Sequence, residues 1–132
     1  MHANDIKSLI TLLIKSIEQE DYVTLRKLYA DDVENYVTDK EGESVLVKGC
    51  ENYLAAIKRM NFSSVHPSLT ITQINVLSEN EALFMVEVKA QKPTKSLHNF
   101  AAYLVKFANN KINSTTMVEA LPAYSDSFWN EP

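Results

Sequence analysis

Glycine is nearly absent from the sequence, with only two residues in 132, Gly42 and Gly49. Loops that cradle phosphate groups need several glycines at fixed spacing, so nucleotide-binding loops of that kind are excluded.

Cysteine is rarer still. The single Cys50 cannot form a disulfide within the chain and is typical of a protein from a reducing compartment.

Runs of lysine or arginine are also missing. The 13 basic residues are outnumbered by 17 acidic ones, and the net charge is -4. Nucleic acid selects a concentrated basic patch, so we expect no nucleic-acid partner.

No apolar run is long enough to cross a bilayer, and the first residues lack the basic-then-apolar pattern of a signal peptide. We therefore expect a cytoplasmic protein with no membrane partner.

The three histidines offer no metal site. His2, His66 and His98 have no ligand-like spacing, and no cysteine or carboxylate accompanies them at metal-binding intervals. We expect neither a metal nor any other cofactor.

Hydrophobic residues make up 45% of the chain, which is typical of one globular domain, here spanning residues 1–132. The first half predicts three amphipathic helices. In the first helix an apolar stripe recurs at helical spacing and comprises Ile6, Leu9, Ile10, Leu13, Ile14 and Ile17.

The second and third helices have recognisable starts. Asp21 is the predicted N-cap of the second helix, which we expect to stop at residues 30–32. Gly49 opens the third helix. Its inward side chains are predicted to be Cys50, Tyr53, Leu54, Ile57 and Met60.

Strand-like patterns fill the rest of the chain. The short connection at 62–67 is predicted to be non-helical because Pro67 disfavours a helical His66. Alternation slips near Gln73, which predicts a bulge. The predicted strands are 34–38, 44–48, 69–77, 82–91, 97–107 and 111–121.

Residues 97–107 are apolar on both faces, which predicts a strand that is covered on both sides. The helices can cover one face only. We therefore expect a homodimer formed through the outer face of the sheet. Near the C-terminus, Phe128 and Trp129 would be costly to expose, and we expect them to pack across the sheet edge or over the partner chain.

Two short segments, together with the order of the elements, carry a resemblance to a known superfamily. They are Leu-Tyr-Ala-Asp-Asp at 28–32, where the aspartates are expected to stop the second helix, and Lys-Gly-Cys-Glu-Asn-Tyr at 48–53. Over nearly its whole length the chain resembles the nuclear transport factor 2-like, or SnoaL-like, superfamily.

The resemblance implies an α+β fold in which three N-terminal helices pack on a strongly curved, mostly antiparallel sheet. Such a cystatin-like, cone-shaped barrel has an interior pocket and is usually dimeric. Members include isomerases, polyketide cyclases, dehydratases, epoxide hydrolases and non-catalytic binding modules, so the fold does not specify the function.

Ketosteroid isomerases belong to that superfamily and use a carboxylate base with two hydrogen-bond donors to an enolate. The resemblance places the base near Val37, with Asn35 and Asp39 close by. It places the first donor at Leu13 and the second at Tyr103. Two of the three roles thus fall on apolar side chains, and we expect that the chain is not a ketosteroid isomerase.

Other polar side chains are predicted to face the pocket. If Tyr103 points inward, period-two alternation also turns Asn99 and Phe107 inward. Met117 resembles an inward family position, and Glu119 shares its face, near Tyr103 on the adjacent strand. A glutamate among apolar side chains has a raised pKa and can act as a general base, with Tyr103 as the oxyanion donor. The reversed strand phase, with Glu119 in solvent or at the dimer interface, stays open.

The predicted site therefore has two catalytic candidates, Glu119 and Tyr103. The ligand-binding candidates are Asn35, Tyr53, Phe84, Asn99, Phe107 and Met117. The leading hypothesis is a protein that binds a small hydrophobic molecule in an apolar pocket. The alternatives are a SnoaL-like enzyme of the isomerase, cyclase or dehydratase type and a dimeric protein-interaction module.

Overall fold

The computed structural model describes residues 1–131, which form five helices and one six-stranded sheet. The helices are α1 (Ala3–Glu18), α2 (Tyr22–Leu28), α3 (Cys50–Arg59), α4 (Phe62–Val65) and α5 (Pro122–Asn130). The strands are β1 (Tyr29–Thr38), β2 (Ser44–Lys48), β3 (Ser68–Ser78), β4 (Glu81–Gln91), β5 (Ser96–Ala108) and β6 (Lys111–Glu119). Within residues 1–131 no helix has both the length and the hydropathy that a bilayer crossing requires.

The sheet has the order β2-β1-β6-β5-β4-β3. Every neighbouring pair is antiparallel except β1 with β6, so the sheet is mixed but mostly antiparallel. The predicted bulge is confirmed, since the register of β3 against β4 shifts between Ile71 and Gln73. With the helices gathered on one face, the α+β class predicted from the sequence is confirmed.

Helix α1 packs its apolar stripe on the inner sheet face. Ile6 and Ile10 are fully buried there, and they join the core cluster of sheet residues that includes Phe84 and Val105. Helix α2 begins as predicted, because the Asp21 carboxylate accepts a hydrogen bond from the Thr24 backbone N–H at 3.1 Å.

The predicted end of the second helix is wrong. Helix α2 stops at Leu28, and Tyr29 already begins β1. Tyr29 of β1 pairs with Ile112 of β6, and the next pair is Glu34 with Ser114. Between these two pairs β1 contains more residues than β6, so residues 30–32 form a bulge. The two aspartates of this segment lie in the exposed bulge and do not cap the helix.

Two further boundaries differ from the sequence-based prediction. The connection at 62–67 contains the four-residue helix α4, whose flanking residues Asn61 and His66 both have positive φ. The last strand ends at Glu119, before Leu121, which is 51% exposed and precedes α5. The chain leaves the sheet there because the Asn99 side chain binds both the N–H and the C=O of Leu121.

The C-terminal helix α5 closes the open end of the sheet. Phe128 is 1% exposed and packs with Val65, Ala90 and Leu97. Trp129 packs on Phe62 with ring centroids 5.4 Å apart. Both aromatic side chains pack within the same chain, but they cover the end of the sheet formed by β4 and β5 and not an edge strand.

Replacing Phe128 with alanine tests this anchoring. Loss of a buried aromatic ring leaves a cavity, and Phe128→Ala should lower the free energy of unfolding by about 3–5 kcal/mol. Val23→Ala is the control, because Val23 is 64% exposed and its truncation should change stability by less than about 0.5 kcal/mol. Urea denaturation measures both. If Phe128→Ala lowered the free energy of unfolding as little as Val23→Ala does, α5 would not be anchored through Phe128.

Candidate functional site

A cavity of about 270 Å³ lies between the inner sheet face and helices α3, α4 and α5. Most of its wall is apolar, with side chains from β1, β5 and β6 on one side and from the helices on the other. The residues lining it include Ile17, Val37, Thr38, Tyr53, Ala56, Ile57, Met60, Phe62, Leu69, Val88, Leu97, Asn99, Ala101, Tyr103, Met117, Glu119, Pro122, Ser125, Asp126, Trp129 and Asn130.

The phase predicted for β5 and β6 is confirmed. On β5, Asn99 and Ala101 are buried on the same face as Tyr103. Tyr103 pairs with Met117, and Ala101 pairs with Glu119, so the two catalytic candidates are diagonal neighbours on adjacent strands. Both line the cavity, and the alternative of Glu119 in open solvent is ruled out.

Glu119 is held by the first turn of α5. The Ser125 hydroxyl, itself 4% exposed, donates a hydrogen bond of 2.8 Å to Oε1 of Glu119. Burial raises the pKa of Glu119, the Ser125 hydrogen bond opposes that rise, and the neighbouring Asp126 carboxylate adds to it. The Thr38 hydroxyl fixes the strand end, since it accepts from the Glu119 backbone N–H at 3.3 Å.

Tyr103 is fixed by an aromatic contact. Its ring stacks on Phe84 with centroids 4.9 Å apart and an interplanar angle of 6°. Burial raises the pKa of the Tyr103 phenol, and the charges of Tyr53 and Glu119 add to the rise. This phenol therefore stays protonated throughout the neutral range and is available as a hydrogen-bond donor to the cavity.

The position that the resemblance assigns to an isomerase base is apolar. Val37 lines the cavity there, whereas Leu13 lies in the core and is 3% exposed. The nearby Asp39 is committed to the β1–β2 turn, where its Oδ1 accepts from the backbone N–H groups of Glu41 and Glu43. None of these side chains supplies a carboxylate to the cavity.

Three of the six predicted ligand-binding residues line the cavity: Tyr53, Asn99 and Met117. Asn99 has a structural use as well, because its Oδ1 accepts from the Leu121 and Phe100 backbone N–H groups at 3.1 and 2.9 Å. Its amide thereby ties β5 to the start of α5.

The other three do not line the cavity and are corrected to core positions. Phe84 is fully buried behind the Tyr103 ring. Phe107 lies beyond a register shift of β5 against β6 and is 5% exposed. Asn35 is fully buried, and its Oδ1 accepts from the Thr115 hydroxyl at 2.5 Å, while its Nδ2 has no partner within residues 1–131.

Sequence reasoning missed the part of the cavity wall that α5 supplies. Asp126, Trp129 and Asn130 all line it. Their spacing of three and four residues places them on one helix face, which is a signal present in the sequence. The sequence-based prediction assigns this tail to packing alone and includes neither Ser125 nor Asp126 in the site.

The side chains that the structure brings together do not make a metal centre. No group of three or more histidine, cysteine, aspartate or glutamate residues within 1–131 has metal-binding geometry. The groups in the cavity that can bind or react with a ligand are therefore two carboxylates and the tyrosine hydroxyls, set in an extensive apolar wall.

Sequence similarity to known proteins does not place the chain in a family. No protein-family model matches the chain. An uncharacterised protein of Mycobacterium tuberculosis is 27% identical over 111 residues, which cover 83% of this chain and 84% of the relative.

Solved structures are similar over almost the whole chain. Bal32a, from a soil-derived mobile gene cassette, has a TM-score of 0.82 at 14% identity and covers 97% of this chain and 98% of its own. A candidate SnoaL-like polyketide cyclase from Jannaschia sp. CCS1 has a TM-score of 0.78 at 10% identity. The similarity covers 98% of this chain and 94% of the cyclase. The chain therefore has the fold of these solved structures, a cystatin-like α+β fold, as its sequence predicts.

Proposed function

We propose that the protein binds a small, mostly hydrophobic molecule in the cavity between Tyr103 and α5. The observation that carries this proposal is an apolar hollow of about 270 Å³ into which a few polar groups converge. Ligand sites have this composition: an apolar wall gives affinity, and isolated polar groups give orientation. At the packing density of protein interiors, the volume has room for about a dozen non-hydrogen atoms.

The comparisons support a ligand-binding role without specifying it. Neighbours of the same fold include candidate polyketide cyclases and an epoxide hydrolase from M. tuberculosis. Their identities to this chain are 10–12%, so substrates are not transferred from them.

Filling the cavity tests the binding proposal. Ala56 lines the cavity from α3, whereas its neighbour Ala55 is exposed on the same helix. A compound that raises the melting temperature of the wild-type protein should lose that effect in Ala56→Phe, because the new ring occupies the site. It should keep the effect in the matched control Ala55→Phe.

The screen would use steroid-like, polyketide-like and fatty compounds, measured by thermal shift. The proposal fails if no compound stabilises the wild-type protein, or if the two phenylalanine variants respond to a stabilising compound alike.

A second candidate is an enzyme with acid–base chemistry of the isomerase, cyclase or dehydratase type. The observation that favours it is the pairing of Glu119, whose pKa is raised by burial, with the protonated phenol of Tyr103. In this scheme Glu119 removes a proton from the carbon next to a substrate carbonyl. Tyr103 donates a hydrogen bond to the enolate oxygen that forms, and the protonated Glu119 returns the proton at another carbon.

The raised pKa of Glu119 has a consequence for stability. The folded state holds the proton more tightly than the unfolded state, so this stabilisation is present below the unfolded pKa and is lost as the pH rises through the folded pKa. Because glutamine does not titrate, Glu119→Gln should gain stability relative to wild type between about pH 4 and pH 7.

Carboxyl NMR titration of Glu119 and urea denaturation across this pH range measure the effect. The groups facing Glu119 are the Ser125 hydroxyl, the Asp126 carboxylate and the Tyr103 phenol. An ordinary Glu119 pKa, together with a stability difference that does not change with pH, would remove the acid–base candidate.

Self-association is a separate proposal. Apolar side chains occupy the centre of the outer sheet face, where Leu83 and Val118 are 37% and 61% exposed. Across the ladder, Leu83 is opposite Leu104, while Ala102 is opposite both Met85 and Val118, so these side chains form one patch. A second copy of the chain, docked face to face, would cover it.

Light scattering tests the homodimer, with an expected mass of about twice 14.9 kDa. Val118→Glu should give monomers, because it places a charge in the patch. Val23→Glu, at a similarly exposed valine on α2, should leave the mass unchanged. A monomeric wild-type protein would contradict self-association and favour a protein-interaction module with a different partner.

A further inference from the structure

The charged groups that line the cavity are all of one sign. Glu119 and Asp126 contribute carboxylates, and no lysine, arginine or histidine of residues 1–131 lines the cavity. Clefts lined by one sign of charge between low-dielectric walls concentrate ligands of the opposite sign. We propose that the ligand is a small apolar amine whose ammonium group lies between Glu119 and Asp126. This inference rests on the proposed function and names its ligand class.

The two carboxylates approach from different elements. Glu119 ends β6, and the hydrogen bond from Ser125 to its Oε1 draws the first turn of α5 against it. Asp126 is the next residue of α5, and its Oδ1 accepts a hydrogen bond of 2.9 Å from the Asn130 side chain. Each carboxylate is thus oriented through one oxygen, while the second oxygen, Oε2 or Oδ2, accepts no hydrogen bond within residues 1–131.

These two oxygens and the Tyr103 hydroxyl provide as many acceptors as a primary ammonium has donors. The hydroxyl lines the cavity and makes no hydrogen bond within the described part of the chain. An ammonium group carries three donors and no acceptor. A neutral carbonyl ligand would use the Tyr103 hydroxyl alone and leave both carboxylates unpaired.

The aromatic wall fits the same ligand. Trp129 follows Asp126 by three residues on α5 and packs on Phe62, and both line the cavity with Tyr53 and Tyr103. The faces of tryptophan and tyrosine attract cations, and the attraction is strongest where water is excluded. The same rings give apolar contact to the body of the molecule.

Neither nearby lysine neutralises the carboxylates. Lys92 and Lys95, on the β4–β5 connection, bind backbone carbonyls at the C-terminal end of α5, including that of Glu131. Two neighbouring carboxylates without a counter-ion repel each other, and a cationic ligand relieves that repulsion, whereas an anionic ligand adds to it.

Three matched probes test the charge of the ligand: 2-naphthylmethylamine, 2-naphthylmethanol and 2-naphthoate. They share one ring system of a size that fits the cavity and carry a cationic, a neutral and an anionic group. Calorimetric titration at neutral pH should give an amine affinity at least about tenfold above that of the alcohol, with the carboxylate weakest, because a charge-assisted hydrogen bond is stronger than a neutral one.

Variants assign the effect to the two carboxylates. Glu119→Gln and Asp126→Asn should each narrow the ratio of amine to alcohol affinity. The control Glu79→Gln removes one negative charge at an exposed position outside the cavity and should leave the ratio unchanged. An equal narrowing in Glu79→Gln would mean that net charge, not the site, sets the preference.

The outcomes separate the two proposals. If the alcohol or the carboxylate binds as tightly as the amine, the inference is overturned while the apolar binding function stands. If none of the three probes binds the wild-type protein, the amine inference fails, and the binding function fails with it if the thermal-shift screen also finds no ligand. A wild-type preference for the amine that survives in both carboxylate variants would also overturn the inference.

Discussion

The seating of the C-terminal helix α5 on the end of the sheet is the contact on which the candidate site depends. Phe128 anchors the helix in a small apolar cluster, and the Asn99 amide fixes the turn through Leu121 just before its first residue. Without this helix, Glu119 would lose its Ser125 partner and the cavity would lose its Trp129 wall. The packing that buries Phe128 thus also buries the Glu119 carboxylate next to Tyr103.

The fold was largely predictable because its strongest signals are local periodicities. The apolar stripe of α1 and the alternation that turns Asn99, Tyr103 and Phe107 to one face require only helical or strand geometry. Alternation, however, predicts only on which face of the sheet a side chain lies. It does not predict whether that side chain reaches the cavity or is covered by others. Phe84 and Phe107 are on the inner face as predicted but are covered by other side chains, so they do not reach the cavity.

The parts that sequence reasoning missed depend on contacts between distant segments. Residues 30–32 resemble a helix end, but Tyr29 pairs with Ile112 on β6, and the aspartates are displaced into a bulge. Helix α5 is short, and helices of that length owe their stability to tertiary packing more than to intrinsic propensity. The packing of α5 against β6 brings Asp126 to the cavity, and this contact between distant segments gives the cavity a second carboxylate beside Glu119.

We propose that this fold keeps an open, acidic and aromatic hollow for a small molecule. The decisive measurement is a crystal structure of the protein grown with 2-naphthylmethylamine. Electron density for the ring is expected against Tyr103 and Trp129, with the amine nitrogen within hydrogen-bonding distance of Glu119. A hollow filled by the protein's own side chains, or a bound molecule whose nitrogen points away from both carboxylates, would contradict it.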